Sequence, residues 1–213
     1  MGEARRWDVL LIGGASGVGK TSISYRLAHH FGIGITAIDD FQVVLERMTS
    51  PEQYPVLHLF RQSPETFFRM DEDGKLAHAI AYATVMAEAL EHVVANHLDG
   101  EPPIVLEGDF LLPSLAVRAS FDGIPADGRV RGFFVVERDE AQIARNYEAR
   151  EGDPQPGRAR ASWRFSEWLR QEAGRLGVPT LEARPWETGF ERALALISAD
   201  GATEPGEDGP IAD

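Results

Sequence analysis

The chain has 213 residues and a formal net charge of −13, from 21 Lys and Arg side chains against 34 Asp and Glu side chains. This length suits one domain with a buried core. The absence of cysteine excludes a disulfide framework and a Cys-ligated metal site. No segment has the basic character of a nucleic-acid interface, and no apolar run is long enough to cross a membrane. We therefore expect a cytoplasmic protein that binds neither nucleic acid nor membranes, while its oligomeric state stays open.

Short apolar strands alternate with helices along the chain. Strands are predicted at 9–12, 35–38, 104–106, 130–136 and 179–182. Helices are predicted at 21–31, 74–98, 139–150, 161–175 and 186–198, with further helix starts at Ser50 and Ser63. This alternation is typical of a parallel sheet with helices on both faces, in three α/β/α layers. We predict one domain over 1–199, followed by a disordered acidic tail at 200–213.

The residues after the first strand carry the most specific motif. They match the phosphate-loop pattern G-x-x-x-x-G-K-[ST] in full, as Gly14, Ala15, Ser16, Gly17, Val18, Gly19, Lys20 and Thr21. Glycines let backbone N–H groups curl around phosphate oxygens, and the N-terminus of the next helix attracts an anion. Lys20 would pair with the β- and γ-phosphates, and the Thr21 hydroxyl would ligate Mg²⁺. The segment predicts a site for ATP with Mg²⁺.

Carboxylates follow the second and third predicted strands. Asp39 and Asp40 follow one of them, and Glu107 and Asp109 follow the other. Ligands bind beyond the carboxyl ends of strands in open parallel sheets, so we expect these acids beside the phosphate loop. We predict that Asp39 is a general base and that Glu107 holds Mg²⁺ through water. Asp40 and Asp109 are alternatives for these roles and candidate substrate contacts. A helix N-cap or a solvated loop is the competing interpretation of each acid.

An arginine-rich segment between 145 and 170 is predicted to contain a lid at about 150–160. Arg150 and Arg158 flank a loop rich in proline and glycine, and its closure would exclude water from the site. Few arginines of this segment have an acid at helical pairing distance. We therefore predict that Arg150 stabilises charge on the transferring phosphoryl group and that Arg158 contacts the nucleotide. A solvated helix face is the alternative for any one of these arginines.

The region 41–78 is predicted to hold the acceptor. Arg61 and Arg69 lie there among aromatic residues, and either guanidinium would suit a phosphate or carboxylate on the acceptor. Trp186 follows the fifth predicted strand and is a candidate border of the nucleotide base. Core packing or a role in starting the last helix is an equally open interpretation of Trp186.

Four features together resemble the nucleoside-monophosphate-kinase-like branch of the P-loop small-molecule kinases, over roughly residues 7–199. They are the phosphate loop, Ile38-Asp39-Asp40-Phe41, Val105-Leu106-Glu107-Gly108 and the arginine-bearing lid. The second segment is similar to uridine kinase, pantothenate kinase and chloramphenicol phosphotransferase, and the third to uridine kinase and 2-phosphoglycerate kinase. The resemblance implies a five-stranded parallel sheet of order 2-3-1-4-5, with Asp39 as the base and Glu107 at the magnesium site.

These features predict an ATP-dependent phosphotransferase that moves the γ-phosphate to a hydroxyl group of a small molecule, without a covalent intermediate. Two other hypotheses stay open. A P-loop ATPase or nucleotide-dependent regulatory switch would act on a protein partner and hydrolyse ATP slowly without an acceptor. A binding module would only sense the nucleotide.

Overall fold

The computed structural model describes residues 6–199. Its strands, in chain order, are β1 (Val9–Gly13), β2 (Gly34–Ala37), β3 (Ile104–Gly108), β4 (Ser120–Phe121), β5 (Ile124–Pro125), β6 (Val130–Val136) and β7 (Thr180–Glu182). Five of them form one parallel sheet, in the order β2-β3-β1-β6-β7. Counted among the strands of this sheet alone, the order is 2-3-1-4-5. The predicted three-layer α/β/α fold class is confirmed.

The helices cover both faces of this sheet. They are α1 (Lys20–Phe31), α2 (Ile38–Met48), α3 (Pro55–Gln62), α4 (Pro64–Arg69), α5 (Glu72–Leu98), α6 (Pro113–Ala116), α7 (Glu140–Glu151), α8 (Pro156–Leu176) and α9 (Gly189–Ala199). Strand β1 is buried throughout, as expected for a central parallel strand. None of the helices within residues 6–199 combines the length and the apolar character needed to cross a membrane.

The strand register brings two loops of the candidate site together. Gly13, the last residue of β1, pairs with Gly108, the last residue of β3. The phosphate loop leaves β1 directly after this pair, and Asp109 leaves β3 there. Because parallel strands end at the same edge, the loop and the acids of β3 become neighbours, as the sequence predicts.

Two local predictions were wrong, and one element was missed. Asp39 and Asp40 do not end a strand but lie in the first turn of α2, where acids favour the positive end of the helix. The pattern at Ser50 does not start a helix, because its backbone N–H donates to Gln53 Oε1 at 2.8 Å and closes a turn. The hairpin of β4 and β5 had no counterpart among the predicted elements.

The predicted lid at 150–160 is shorter than expected. Helix α7 continues to Glu151 and α8 already begins at Pro156, so residues 152–155 alone connect them. Gly152 ends α7 with a left-handed φ of 77°, and a proline at the first helical position is compatible with an immediate restart. The predicted tail at 200–213 lies outside the described residues.

Gly108 permits the contact between β3 and α2. A Cβ atom built there would lie 2.1 Å from Cγ1 of Ile38, which is fully buried. We expect Gly108→Ala to lower the free energy of unfolding, measured by urea denaturation, by about 1–3 kcal/mol, as overpacking of a core does. Gly174→Ala in α8 is the matched control, because nothing lies within 4 Å of its added Cβ. The control should gain roughly 0.5 kcal/mol, and equal stabilities of the two variants would contradict this contact.

Candidate active site

The phosphate loop is a glycine cradle between β1 and α1. Gly14 has φ 143°, and a Cβ atom there would lie 2.4 Å from the carbonyl oxygen of Val135. Gly19 has φ 95°, and its Cβ would lie 2.5 Å from Cζ3 of Trp186. Only glycine satisfies both restrictions. Within the described chain no side chain caps the N-terminus of α1, so its N–H groups suit an anionic ligand.

A cavity of about 750 Å³ opens over this loop, a volume typical of small-molecule sites. It is lined by Ser16, Gly17, Gly19, Lys20, Thr21, Ser22, Tyr25, Ala37, Asp39, Glu107, Gly108, Asp109, Asn146, Arg150, Arg158 and Trp186. The structure thus brings the phosphate loop together with most of the side chains predicted to act with it. Asp40, Arg61 and Arg69 do not belong to this lining.

Lys20 and Thr21 contact the two acids of β3. The buried Lys20 ammonium donates to Asp109 Oδ1 at 2.6 Å and to the carbonyl oxygen of Ala15 at 3.0 Å. The Thr21 hydroxyl donates to Glu107 Oε1 at 3.3 Å. Sequence reasoning placed these groups at one edge of the sheet, but it did not predict the contact of Lys20 with Asp109.

Two carboxylates of the cavity hold their protons more tightly than usual. Burial raises the pKa of Glu107, and Asp109 and Asp39 raise it further against the opposing charge of Lys20. Protein atoms that displace water raise the pKa of Asp39, and so does the charge of Asp109. A cation beside Glu107 and Asp39 would therefore stabilise their ionised forms.

The oxygen atoms of Thr21 and Glu107 fit the requirements of Mg²⁺, which prefers hard oxygen ligands and keeps several waters. Over residues 6–199, no cluster of three or more His, Asp or Glu side chains is arranged to hold a metal by itself. A magnesium ion here would therefore depend on oxygens of a phosphate ligand and of water, as is usual for this ion.

Arg150 and Arg158 reach the cavity from two different helices. The two guanidinium carbons lie 5.3 and 4.4 Å from the ring centre of Tyr147. Both groups also bond to Glu151, Arg150 through Nε at 3.0 Å and Arg158 through Nη1 at 3.0 Å. The pair is thus held at the mouth of the cavity by one ring and one carboxylate.

Few arginines of 145–170 have an acid at helical pairing distance, as expected, but most of them pair with an acid elsewhere. Four further arginines make six ion pairs: Arg145 with Asp139, Arg160 with Glu72 and Glu140, Arg164 with Glu72 and Asp73, and Arg170 with Glu167. None of these partners lies four residues away along the helix. Arg160 and Arg164 pair with the start of α5, so helical spacing alone could not reveal them.

Asn146 is a cavity residue that sequence reasoning missed. Its Nδ2 donates to the carbonyl oxygen of Gly17 at 2.7 Å, and Gln142 donates to its Oδ1 at 2.8 Å. The side chain therefore fastens α7 to the phosphate loop. Its position four residues before Arg150, on the same helix face, was the available signal.

Trp186 lies over Gly19 at the edge of the cavity, with 39% of its surface exposed. The preceding loop is fixed on both sides. Arg184 makes two bonds of 2.8 Å to the buried Glu137, and Arg192 donates to the carbonyl oxygen of Pro185 at 2.8 Å. The side chain thus borders the cavity, as one of its predicted roles requires.

The predicted acceptor contacts lie elsewhere. Arg61 Nε donates to Glu46 Oε2 at 2.5 Å, and Glu46 also accepts from Tyr82 at 2.9 Å and Gln42 at 3.1 Å. Arg61 thus ties α3 to α2. Arg69 and Asp40 are exposed. Their roles toward a substrate stay predictions.

Comparison with known proteins places this site in a family. The isopentenyl transferase family model matches residues 7–119, which is 113 of the 213 residues. The matched part contains β1, the phosphate loop, α2 and β3, and therefore Lys20, Asp39, Glu107 and Asp109.

Two kinds of transferase occur among the relatives that this chain resembles in sequence, and one solved structure shares its fold. A 2-phosphoglycerate kinase of Methanocaldococcus jannaschii is 29% identical over 113 residues, covering 52% of this chain and 37% of the relative. A tRNA dimethylallyltransferase of Thermotoga petrophila is 27% identical over 138 residues, covering 64% and 44%. A gluconokinase structure from Sinorhizobium meliloti aligns with a TM-score of 0.51 at 17% identity, covering 92% and 94%. The predicted resemblance to P-loop small-molecule kinases is confirmed.

The electrostatics of two glutamates can be tested by pH. The pKa of Glu107 is raised, so its ionised form lowers the stability of the folded protein above that pKa. The pKa of Glu46 is lowered. Burial of Glu46 opposes this, but hydrogen bonds from Gln42, Tyr82 and Arg61 outweigh it. Glu107→Gln should raise the melting temperature at pH 7 by about 2–4 °C, the equivalent of roughly 1 kcal/mol, and Glu46→Gln should lower it. The effect at Glu107 should vanish below about pH 4, where this carboxyl group is protonated in both the folded and the unfolded chain, whereas the effect at Glu46 should persist to lower pH because its folded-state pKa is lowered. Shifts of the same sign at pH 7 would contradict these assignments.

Proposed function

The chain belongs to the isopentenyl transferase family, and we propose that it is a phosphotransferase that moves the γ-phosphate of ATP to a hydroxyl group of a small molecule. The matches to 2-phosphoglycerate kinases support phosphoryl transfer. In the first of these matches, the aligned part is 37% of the relative's length.

The observation that carries the proposal is the place of Asp39. Its side chain is exposed and lines the same cavity as Lys20, and the partial loss of water around it, together with the charge of Asp109, raises its pKa. A carboxylate with an increased proton affinity, beside a phosphate-binding lysine, suits a base that takes the proton of an attacking hydroxyl group.

The other cavity residues have complementary roles in this proposal. Lys20 and the N–H groups of the phosphate loop bind the phosphates, and Arg150 offsets the charge that develops on the transferred group. Thr21 and, through water, Glu107 hold Mg²⁺, which when bound neutralises phosphate charge. Arg158 and Trp186 border the nucleotide. Catalysis then depends on positioning and electrostatics.

The role of Asp39 can be tested by Asp39→Asn, which keeps the shape of the side chain but removes the base. We expect phosphoryl transfer to fall on the order of 10²-fold or more, with the dissociation constant of Mg·ATP nearly unchanged. The assay is product formation under saturating ATP, together with calorimetric titration of ATP. Asp40→Asn is the comparison, and a larger loss in that variant would move the base to Asp40.

A second candidate reaction is transfer of an isoprenoid group from its diphosphate. It is favoured by the family model and by the match to a tRNA dimethylallyltransferase. The phosphate loop and Lys20 would serve this donor equally, because it also carries a diphosphate group. The net charge of −13 weighs against a nucleic-acid acceptor, since binding to a nucleic-acid backbone depends on basic groups.

A donor and acceptor screen separates these reactions. We expect phosphate from labelled ATP to appear on a small hydroxyl compound, in a panel that includes 2-phosphoglycerate and gluconate. Lys20→Ala should abolish the transfer, because the loop then lacks its only cationic side chain. Product from dimethylallyl diphosphate and tRNA, but not from ATP, would favour the isoprenoid reaction. Slow ATP hydrolysis without any phosphorylated acceptor would favour the ATPase or regulatory switch.

A further inference from the structure

The Lys20 ammonium, which the phosphate loop needs to bind a phosphate, is already bonded to Asp109. The Lys20 side chain is 5% exposed and its ammonium lies 2.6 Å from Asp109 Oδ1, while the Asp109 side chain is 29% exposed. A second bond joins Lys20 to the carbonyl oxygen of Ala15 at 3.0 Å. A phosphate can therefore engage Lys20 fully only by competing with a carboxylate of the protein itself.

The surrounding charges make this competition unfavourable for a bare anion. Asp39, Glu107 and Asp109 all line the cavity, and the charge of Asp109 raises the pKa of both Asp39 and Glu107, beyond the effect of lost water at each of them. Lys20 is the cation that offsets this repulsion at both Asp39 and Glu107. The guanidinium groups of Arg150 and Arg158 contact Glu151 instead. A polyphosphate that took the Lys20 ammonium away from Asp109 would have three carboxylates beside its own negative oxygens, which disfavours its binding.

We propose that Asp109 makes this site selective for nucleotide bound to a divalent cation, by holding Lys20 until the cation offsets the carboxylates. The inference rests on the nucleotide-binding part of the proposed function and adds a specificity-determining role for Asp109. Metal-free ATP must break the contact between Lys20 and Asp109 with nothing to balance the freed carboxylate. With Mg·ATP, the positive charge of the metal enters together with the phosphates. Asp109 thus acts on the nucleotide through Lys20.

The variant Asp109→Asn isolates the charge of this contact. Its amide oxygen still accepts a hydrogen bond from Lys20, but the negative charge is gone. Asp40→Asn is the matched control, since it removes an equal charge that also acts on Asp39 but belongs to a residue outside the cavity lining. Asp109→Glu restores the charge and should restore the selectivity.

The experiment is calorimetric titration of the full chain with ATP, once in excess MgCl₂ and once in EDTA. In Asp109→Asn we expect metal-free ATP to bind about tenfold or more tightly than in the wild type, as removal of one unfavourable charge in a partly buried site allows. The affinity for Mg·ATP should change by less than about threefold, because the metal already offsets the carboxylates. The ratio of the two affinities therefore falls.

An unchanged ratio in Asp109→Asn would overturn the inference. An equal fall in Asp40→Asn would overturn it too, because general charge and not the contact with Lys20 would then set the ratio. Thermal unfolding checks that each variant is folded, and Asp109→Ser provides a second neutral variant that keeps a hydrogen-bond acceptor. A wild-type chain that bound neither form of ATP would contradict the nucleotide site of the proposed function itself. Binding without transfer in the acceptor assay would contradict the proposed reaction alone.

Discussion

The pairing of β1 with β3 brings Lys20 of the phosphate loop beside Glu107 and Asp109. It brings two glycines, Gly13 and Gly108, side by side at the edge of the sheet. Large side chains lie against both of them, Phe134 on Gly13 and Ile38 on Gly108. Because Gly108 carries no Cβ, the first turn of α2 packs directly on β3. The acids of α2 and β3 are thereby crowded around one lysine, with the consequences for their proton affinities described above.

The net charge of the whole chain does not reflect the charge of the cavity. The chain carries −13, yet the cavity is lined by three basic and three acidic side chains. What distinguishes the cavity is the arrangement: the lysine lies with the acids, and the arginines lie with Tyr147 and Glu151. Attraction for a phosphate ligand is therefore local, from backbone amides and a few cations, and the net charge gives little information about it.

Patterns within one segment were predictable from the sequence, and contacts between distant segments were not. The phosphate loop and the five strands follow from apolar runs and glycine positions, and parallel pairing then brings Glu107 and Asp109 to Lys20. Helix α2 was missed because its first turn directly follows a strand, with no connecting residues to mark it. The partners of Arg160 and Arg164 are 88 and 91 residues away in the chain. Nothing in local spacing identifies such partners, and the acceptor contacts depend on the same kind of information.

The ion pairs between α8 and α5 make the contact of these two helices sensitive to salt. Arg160 and Arg164 of α8 hold Glu72 and Asp73, which form the first turn of α5. Arg158 lies two residues before Arg160 on the same helix and borders the cavity. Since these bridges are largely exposed, dissolved salt screens them, and the electrostatic part of the contact between the two helices weakens as ionic strength rises.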